Sequence, residues 1–253
     1  TTDDRIRLKT TVTDVDPHFI DLLLSYEDQR FYEHKGVDWL AVVRAFLQLV
    51  LHREVVSGAS TITMQTVRLL APEPRNFSNK IQQFRKAISL EKELSKDQIL
   101  NLYLSLTPFG GNIEGVRAAT LSWFKKEPAS LTPAESALLV ALPQSPETRR
   151  PDRFAQSARE ARNRVLHRAL KKGVIDQNYF EIAQLSPVPT KKEVLPKIAP
   201  HLAWRRSMER RDFFQSTLSR DIQLRLESIA QETSLPPNLN IGVIVMESQS
   251  NQI

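Results

Sequence analysis

Cysteine is absent from this chain. Disulfide scaffolds, cysteine-based zinc sites and thiol nucleophiles are therefore excluded. No compartment follows from this, since an oxidising space does not demand disulfides. Glycine is scarce, with seven in 253 residues, and most of it clusters early, at Gly36, Gly58, Gly110, Gly111 and Gly115. Each interior glycine weakens a helix by roughly 1 kcal/mol, so scarcity favours a helical chain and marks each glycine as a turn or a close backbone approach. No apolar run reaches the length of a membrane span. The longest, Val37 to Leu51, is interrupted by Asp38, Arg44 and Gln48. No signal peptide is visible, and the chain opens at Thr1 without methionine. It reads as a piece of a longer protein whose targeting segments lie elsewhere. No second histidine stands at metal spacing from His34, so no histidine metal site is expected.

What is present suits a packed protein. Hydrophobic residues make up 41% and charged residues 25%, which predicts a folded core rather than general disorder. The net charge is +6. A basic surplus fits nucleic acid, anionic headgroups or phosphorylated substrates, and equally fits plain solubility. The basic residues are scattered, with no aromatic-basic motif, so no nucleic acid is expected.

The periodicity predicts a mainly α-helical chain. Asp16-Pro17 starts a helix with Phe19, Leu22, Leu23 and Leu24 on its apolar face, and Asp38 caps the next. Ser60 or Thr61 opens a third, 79–94 forms a fourth, and Ser95-Lys-Asp-Gln98 resembles a capping box for a fifth over 97–104. Thr132-Pro-Ala-Glu135 starts another helix with proline in its first turn. Helices over 154–172 and 176–184 form a hairpin stopped by Gly173. Residues 186–200 carry four prolines and read as a surface loop, and 221–233 reads as helix. Pro236-Pro237 ends that helix, and Leu239, Ile241, Val243 and Val245 then alternate as a strand.

Four stretches match patterns that could carry chemistry. Glu27-Asp28 closes an apolar helix, where a half-buried carboxylate can act as a general base; the structural alternative is a salt bridge with Arg30. Gly58-Ala-Ser-Thr-Ile-Thr-Met-Gln65 is a small-residue turn opening a helix, whose free N–H groups favour an anion. Arg68, Arg75 and Lys80 supply cations nearby. Ser89-Leu-Glu-Lys92 and Ser122-Trp-Phe-Lys125 match the Ser-x-x-Lys pattern of penicillin-interacting serine enzymes, but its companion motifs are missing, so both are decoys.

The order of motifs resembles the family-51 peptidoglycan glycosyltransferases, the glycosyltransferase domain of class A penicillin-binding proteins. The matching residues are Glu27-Asp28, Phe31, His34 and Gly36; Gly58 to Gln65; Leu90-Glu91, Leu94-Ser95-Lys96, Ile99-Leu100 and Tyr103-Leu104; Phe109-Gly110 with Gly115; and Leu131-Thr132, Glu135 and Leu142-Pro143. A closer likeness to one branch of the family rests on Thr63-Met64-Gln65, Arg68-Leu69-Leu70, Pro108-Phe109-Gly110-Gly111 and Arg150-Pro151-Asp152-Arg153.

The resemblance implies a lysozyme-like, two-lobed helical domain over 15–205, after an N-terminal segment 1–14. A linker over 206–235 and the start of a truncated transpeptidase domain over 236–253 would follow. It implies polymerisation of lipid II into β-1,4-linked glycan strands with inversion and release of polyprenyl pyrophosphate, at the periplasmic face of the bacterial inner membrane. The implied partners are lipid II, the growing glycan strand, the membrane surface and other cell-wall synthesis proteins. Trp39, Leu40, Val43, Phe46, Leu47, Val50 and Leu51 either touch the bilayer or form a core face.

By matching, Glu27 is the general base. Asp28, Arg30, Phe31, Ser60, Thr61, Gln65, Arg68, Arg75, Lys80 and Gln83 fall in the substrate- and pyrophosphate-binding set. Arg68 stands where the family usually has lysine, Met64 where it has glutamine, and Gln83 where it has a second functional glutamate. Gln83 cannot ionise, so the metal site is left open, with a divalent cation (Mg²⁺ or Mn²⁺) as the one candidate cofactor. A pyrophosphate leaving group needs cations rather than a proton, so one carboxylate beside a basic cluster suits a transferase. A lysozyme-like muralytic hydrolase and a catalytically degenerate scaffold remain the alternatives.

Overall fold

The computed structural model describes residues 5–52, 60–74, 76–195, 198–207, 216–233, 242–243 and 245. Asp16 caps helix α1 (Pro17–Glu27) by accepting the His18 N–H, and proline follows in the first turn as the sequence predicts. Helix α2 (Trp39–His52) comes next, with Asp38 Oδ1 accepting the Ala41 N–H at 2.9 Å. Thr61 caps α3 (Ile62–Leu70), and Asn76 caps α4 (Phe77–Glu93) earlier than periodicity alone placed its start. Ser95 and Thr132 each form the expected capping box, on α5 (Lys96–Leu106) and α7 (Pro133–Ala141). Between these two lies α6 (Val116–Phe124), entered through Gly115. The hairpin is α8 (Ala155–Lys171) and α9 (Gln177–Leu185).

The chain is not purely helical. Strand β1 (Ile6–Arg7) pairs in parallel with β2 (Ile113–Glu114), Ile6 opposite Ile113 and Arg7 opposite Glu114. Two-residue strands leave no alternation to read, so periodicity could not find them.

Two hydrophobic clusters form. The larger gathers α1, α5, α6, α7, α8 and α9, with α7 buried along nearly its whole length. The smaller consists of Val37, Met64, Val67 and Ala87. Helix α3 serves both, sending Ile62 into the larger and Met64 and Val67 into the smaller. That double anchorage fixes α3 against both the end of α1 and the face of α4.

One compact unit spans Thr1–Val194 and a second Leu195–Ile253. In the second unit, α10 (Pro200–Ser207) and α11 (Arg220–Glu232) are helical, and the Ala199 N–H donates to Glu227 at 2.8 Å. Pro236-Pro237 and most of the alternation from Leu239 to Val245 lie outside the described residues. Among the described residues, no helix is long and apolar enough to cross a membrane.

Candidate active site

Glu27 ends α1 half-buried. Gln65, on α3, donates its amide to Glu27 Oε2 at 2.9 Å. Gln144, beyond α7, donates to Oε1 at 3.0 Å. The helix-end salt bridge with Arg30 does not form as the structural alternative had it, because Arg30 pairs with Asp38. Glu27 lines a cleft of about 700 Å³ together with Arg30, Glu33, Leu40, Arg44, Ser60, Arg168 and Lys172.

Beside this cleft, Lys80 on α4 donates to Ser60 Oγ at 2.9 Å and to Gln83 Oε1 at 3.1 Å. Burial, and then the Arg68 charge, holds the Lys80 ammonium below the usual lysine range. A buried cation disfavoured by a second cation marks a place that an anion would relieve. Arg68, Lys80 and Gln83 share the wall of a second cavity, about 630 Å³, with Asn76 and Asn79. Gly58 and Arg75 lie outside the described residues.

The Gln83 departure has a local cause. Its amide nitrogen donates to the Met64 carbonyl at 2.6 Å while its oxygen accepts from Lys80. A carboxylate could not make the first bond. Met64 is fully buried in the smaller cluster, which accounts for an apolar residue there. A lysine, a hydroxyl and an amide already committed to the backbone do not suit a divalent cation. Among the described residues, no group of three or more His, Asp or Glu side chains gathers to hold a metal ion.

Three predicted binding residues also hold the site together, and two of them, Asp28 and Thr61, line the cleft as well. Asp28 is buried; its oxygens take His34 Nε2 at 3.1 and 3.0 Å, and Oδ2 also takes the Ile62 N–H at 2.9 Å. Thr61 donates to the Gly36 carbonyl at 2.7 Å and caps α3. Phe31 is 1% exposed in the larger cluster, with the Lys96 ammonium 4.6 Å from its ring centre.

Asp28 and Phe31 join a wider network through His34 and Lys96. Lys96 Nζ approaches His34 Nδ1 at 3.4 Å and donates to Glu91 at 2.7 Å, and Glu91 accepts the Thr63 hydroxyl at 2.5 Å. Three separate motifs thus lock together, and Glu91 and Lys96 acquire a reason that spacing did not reveal. Gln144 was likewise missed, since a lone glutamine after Leu142-Pro143 carries no signal. The second Ser-x-x-Lys string behaves as a decoy: Ser122 is buried in α6, while Lys125 turns away to pair with Glu193 at 3.0 Å.

On α2, Trp39, Leu40, Val43 and Leu47 are exposed, against the core-face reading for these four. The Phe46, Val50 and Leu51 side chains lie outside the described residues.

The family model described as Transglycosylase matches residues 1–170. The chain is 39% identical to penicillin-binding protein 1C of Escherichia coli over 95% of its own length and 32% of that protein's. This is the branch to which the closer phrases point. It is 36% identical to penicillin-binding protein 1A of Pseudomonas aeruginosa, covering 75% of this chain and 24% of the relative. It therefore spans about a third of the first relative and a quarter of the second. A crystal structure of penicillin-binding protein 1A from Haemophilus influenzae aligns with 82% of this chain and 22% of its own at 22% identity and a TM-score of 0.46.

Proposed function

Because this chain belongs to the transglycosylase family, we propose that it polymerises lipid II into glycan strands, with Glu27 as the general base. The 4-hydroxyl of an acceptor sugar attacks the anomeric carbon of the donor. Glu27 takes the hydroxyl proton as the new C–O bond forms. The bond from that carbon to the pyrophosphate oxygen breaks on the opposite face, inverting the configuration. The leaving pyrophosphate keeps the electron pair and needs only positive charge, which Lys80 and Arg68 supply. Arg75 completes the cationic set by its match to the family motif.

The observation that carries this is the Glu27 carboxylate, held by Gln65 in a cleft whose wall includes Ser60, the hydroxyl that Lys80 grips. Base and cations are tied to one helix, α3: Glu27 through Gln65, Arg68 as one of its residues, and Lys80 through Ser60 just before it. Asp28, the nearest second carboxylate in sequence, is consumed by His34 and Ile62. Transfer is favoured over hydrolysis by the cations Lys80 and Arg68, which suit a pyrophosphate leaving group that needs charge rather than a proton.

The exposed residues of α2 adjoin the cleft through Leu40. A lipid-linked substrate would reach Glu27 from that side, with Trp39, Val43 and Leu47 set against the periplasmic surface of the inner membrane.

The test is purified protein with lipid II in detergent. Wild type makes glycan strands, and Glu27→Gln makes none while keeping its fold. Normal polymerisation by Glu27→Gln overturns the assignment. Soluble fragments released from cell-wall sacculi without lipid substrate would favour the hydrolase.

A further inference from the structure

We infer that Gln144 and Arg149 form a positioning relay that aims the Glu27 carboxylate, an inference that rests on Glu27 being the base. Each oxygen of Glu27 holds one amide donor, Gln65 on Oε2 at 2.9 Å and Gln144 on Oε1 at 3.0 Å. A carboxylate held at both oxygens cannot swing, and its remaining lone pairs keep one direction. Orientation of this kind is worth orders of magnitude in rate when a proton must move along a short line.

A glutamine amide is ambiguous by itself, because it can present oxygen or nitrogen. Oxygen facing Glu27 would repel it. Arg149 removes the ambiguity: a guanidinium has only donors, and its Nη1 donates to Gln144 Oε1 at 3.1 Å. The NH₂ group must then face Glu27. The same Nη1 donates to the Ala141 carbonyl at 2.7 Å, at the end of buried α7. The relay therefore runs from the core to the base. Gln144 itself is exposed, so packing does not account for its place.

Tyr103 on α5 and Arg149 both feel the Glu27 charge; Arg68 on α3 also acts on Tyr103, and Tyr26 and Arg164 also act on Arg149. The cleft adds Asp28, Arg30, Glu33, Asp38, Arg44, Arg168 and Lys172. Burial, and then the Glu27 charge, pushes the Tyr103 phenol up. Burial, and then Arg164, pulls Arg149 down, while Tyr26 and Glu27 oppose this. Phenols, guanidiniums and ammoniums do not titrate on the acid side of neutrality. The other carboxylates are shared by wild type and any Gln144 variant, so a difference between their acid limbs reports Glu27.

The experiment compares wild type, Gln144→Leu, Gln144→Lys, Arg149→Met and the Gln144→Leu/Arg149→Met double variant in lipid II polymerisation, with Glu27→Gln alongside. Gln144→Leu is expected to lower kcat about 10- to 100-fold with KM unchanged. The acid limb of its kcat profile moves to higher pH, because a donor that favoured the charged carboxylate is gone. Gln144→Lys keeps a donor to Glu27 but offers Arg149 no acceptor, so it recovers part of the rate and stays below wild type. Arg149→Met loses less than Gln144→Leu, and the double variant is no worse than Gln144→Leu alone. Wild-type kcat and an unmoved acid limb in Gln144→Leu, or additive losses in the double variant, overturn the relay even when Glu27→Gln is inactive. An active Glu27→Gln removes the base assignment itself, which is a separate failure.

Discussion

His34 and Asp28 are bonded through both carboxylate oxygens, at 3.0 and 3.1 Å, while Asp28 also holds the first N–H of α3. The end of α1 is thereby tied to the start of α3, and this joint sets the distance from Glu27 to Gln65. Asp28→Ala is expected to cost about 2 kcal/mol, the usual scale for leaving buried polar groups, here His34 and the Ile62 N–H, without their partner. Chemical denaturation measures the loss, and a change below about 0.5 kcal/mol, typical of an inert surface position, would deny Asp28 this structural role.

Gly36 is required by both conformation and space. Its φ is +86°, and a Cβ there would lie 2.7 Å from the Ala87 backbone. Gly36→Ala should destabilise by about 3 kcal/mol, combining backbone strain with displacement of α4. Thermal melting checks this; an unshifted midpoint contradicts it.

Lys80 gives the pH dependence a sign. Its ammonium is held below the usual lysine range by burial and by Arg68. Only the charged form grips an anion, so binding of a pyrophosphate analogue should weaken as pH rises through that lowered value. In Arg68→Met the alkaline limb should move to higher pH, although overall affinity falls because one charge is lost. Calorimetric titration across pH reads both, and a limb that stays put would remove the Arg68–Lys80 coupling.

Chelation of divalent cations should leave polymerisation in place, since Gln83 spends its amide on Met64 and Lys80. Turnover with and without EDTA decides the matter. Abolition by EDTA would require an ion held elsewhere, by the substrate's own phosphates.

Leu40→Asp and Leu47→Asp alter exposed positions and should leave the fold intact while lowering binding to anionic liposomes by about tenfold or more, given the apolar area withdrawn from the interface. Flotation measures this. Unchanged flotation would free α2 from the bilayer.

The helices were largely legible because their ends carry chemistry. Asp16-Pro17, Ser95 with Gln98 and Thr132 with Glu135 cap in the structure as their side chains predict. The start of α4 escapes a reading by periodicity because Asn76 precedes a polar first turn with little periodic signal. Helix α6 escapes it too, because its alanines and threonine carry a weak apolar stripe. At the site, Glu27 and Gln65 stand out together from the motifs and meet in space. Side-chain destination was not legible. Thr61, Asp28 and Phe31 look like ligand contacts in one dimension, and only packing reveals the bonds and contacts each also makes within the protein.

Leu40 belongs to both the exposed apolar set of α2 and the wall of the cleft. With that set on a bilayer, substrate would arrive by lateral diffusion in a plane. Turnover would then follow the mole fraction of substrate in the lipid, and dilution with inert lipid would slow it at constant bulk concentration.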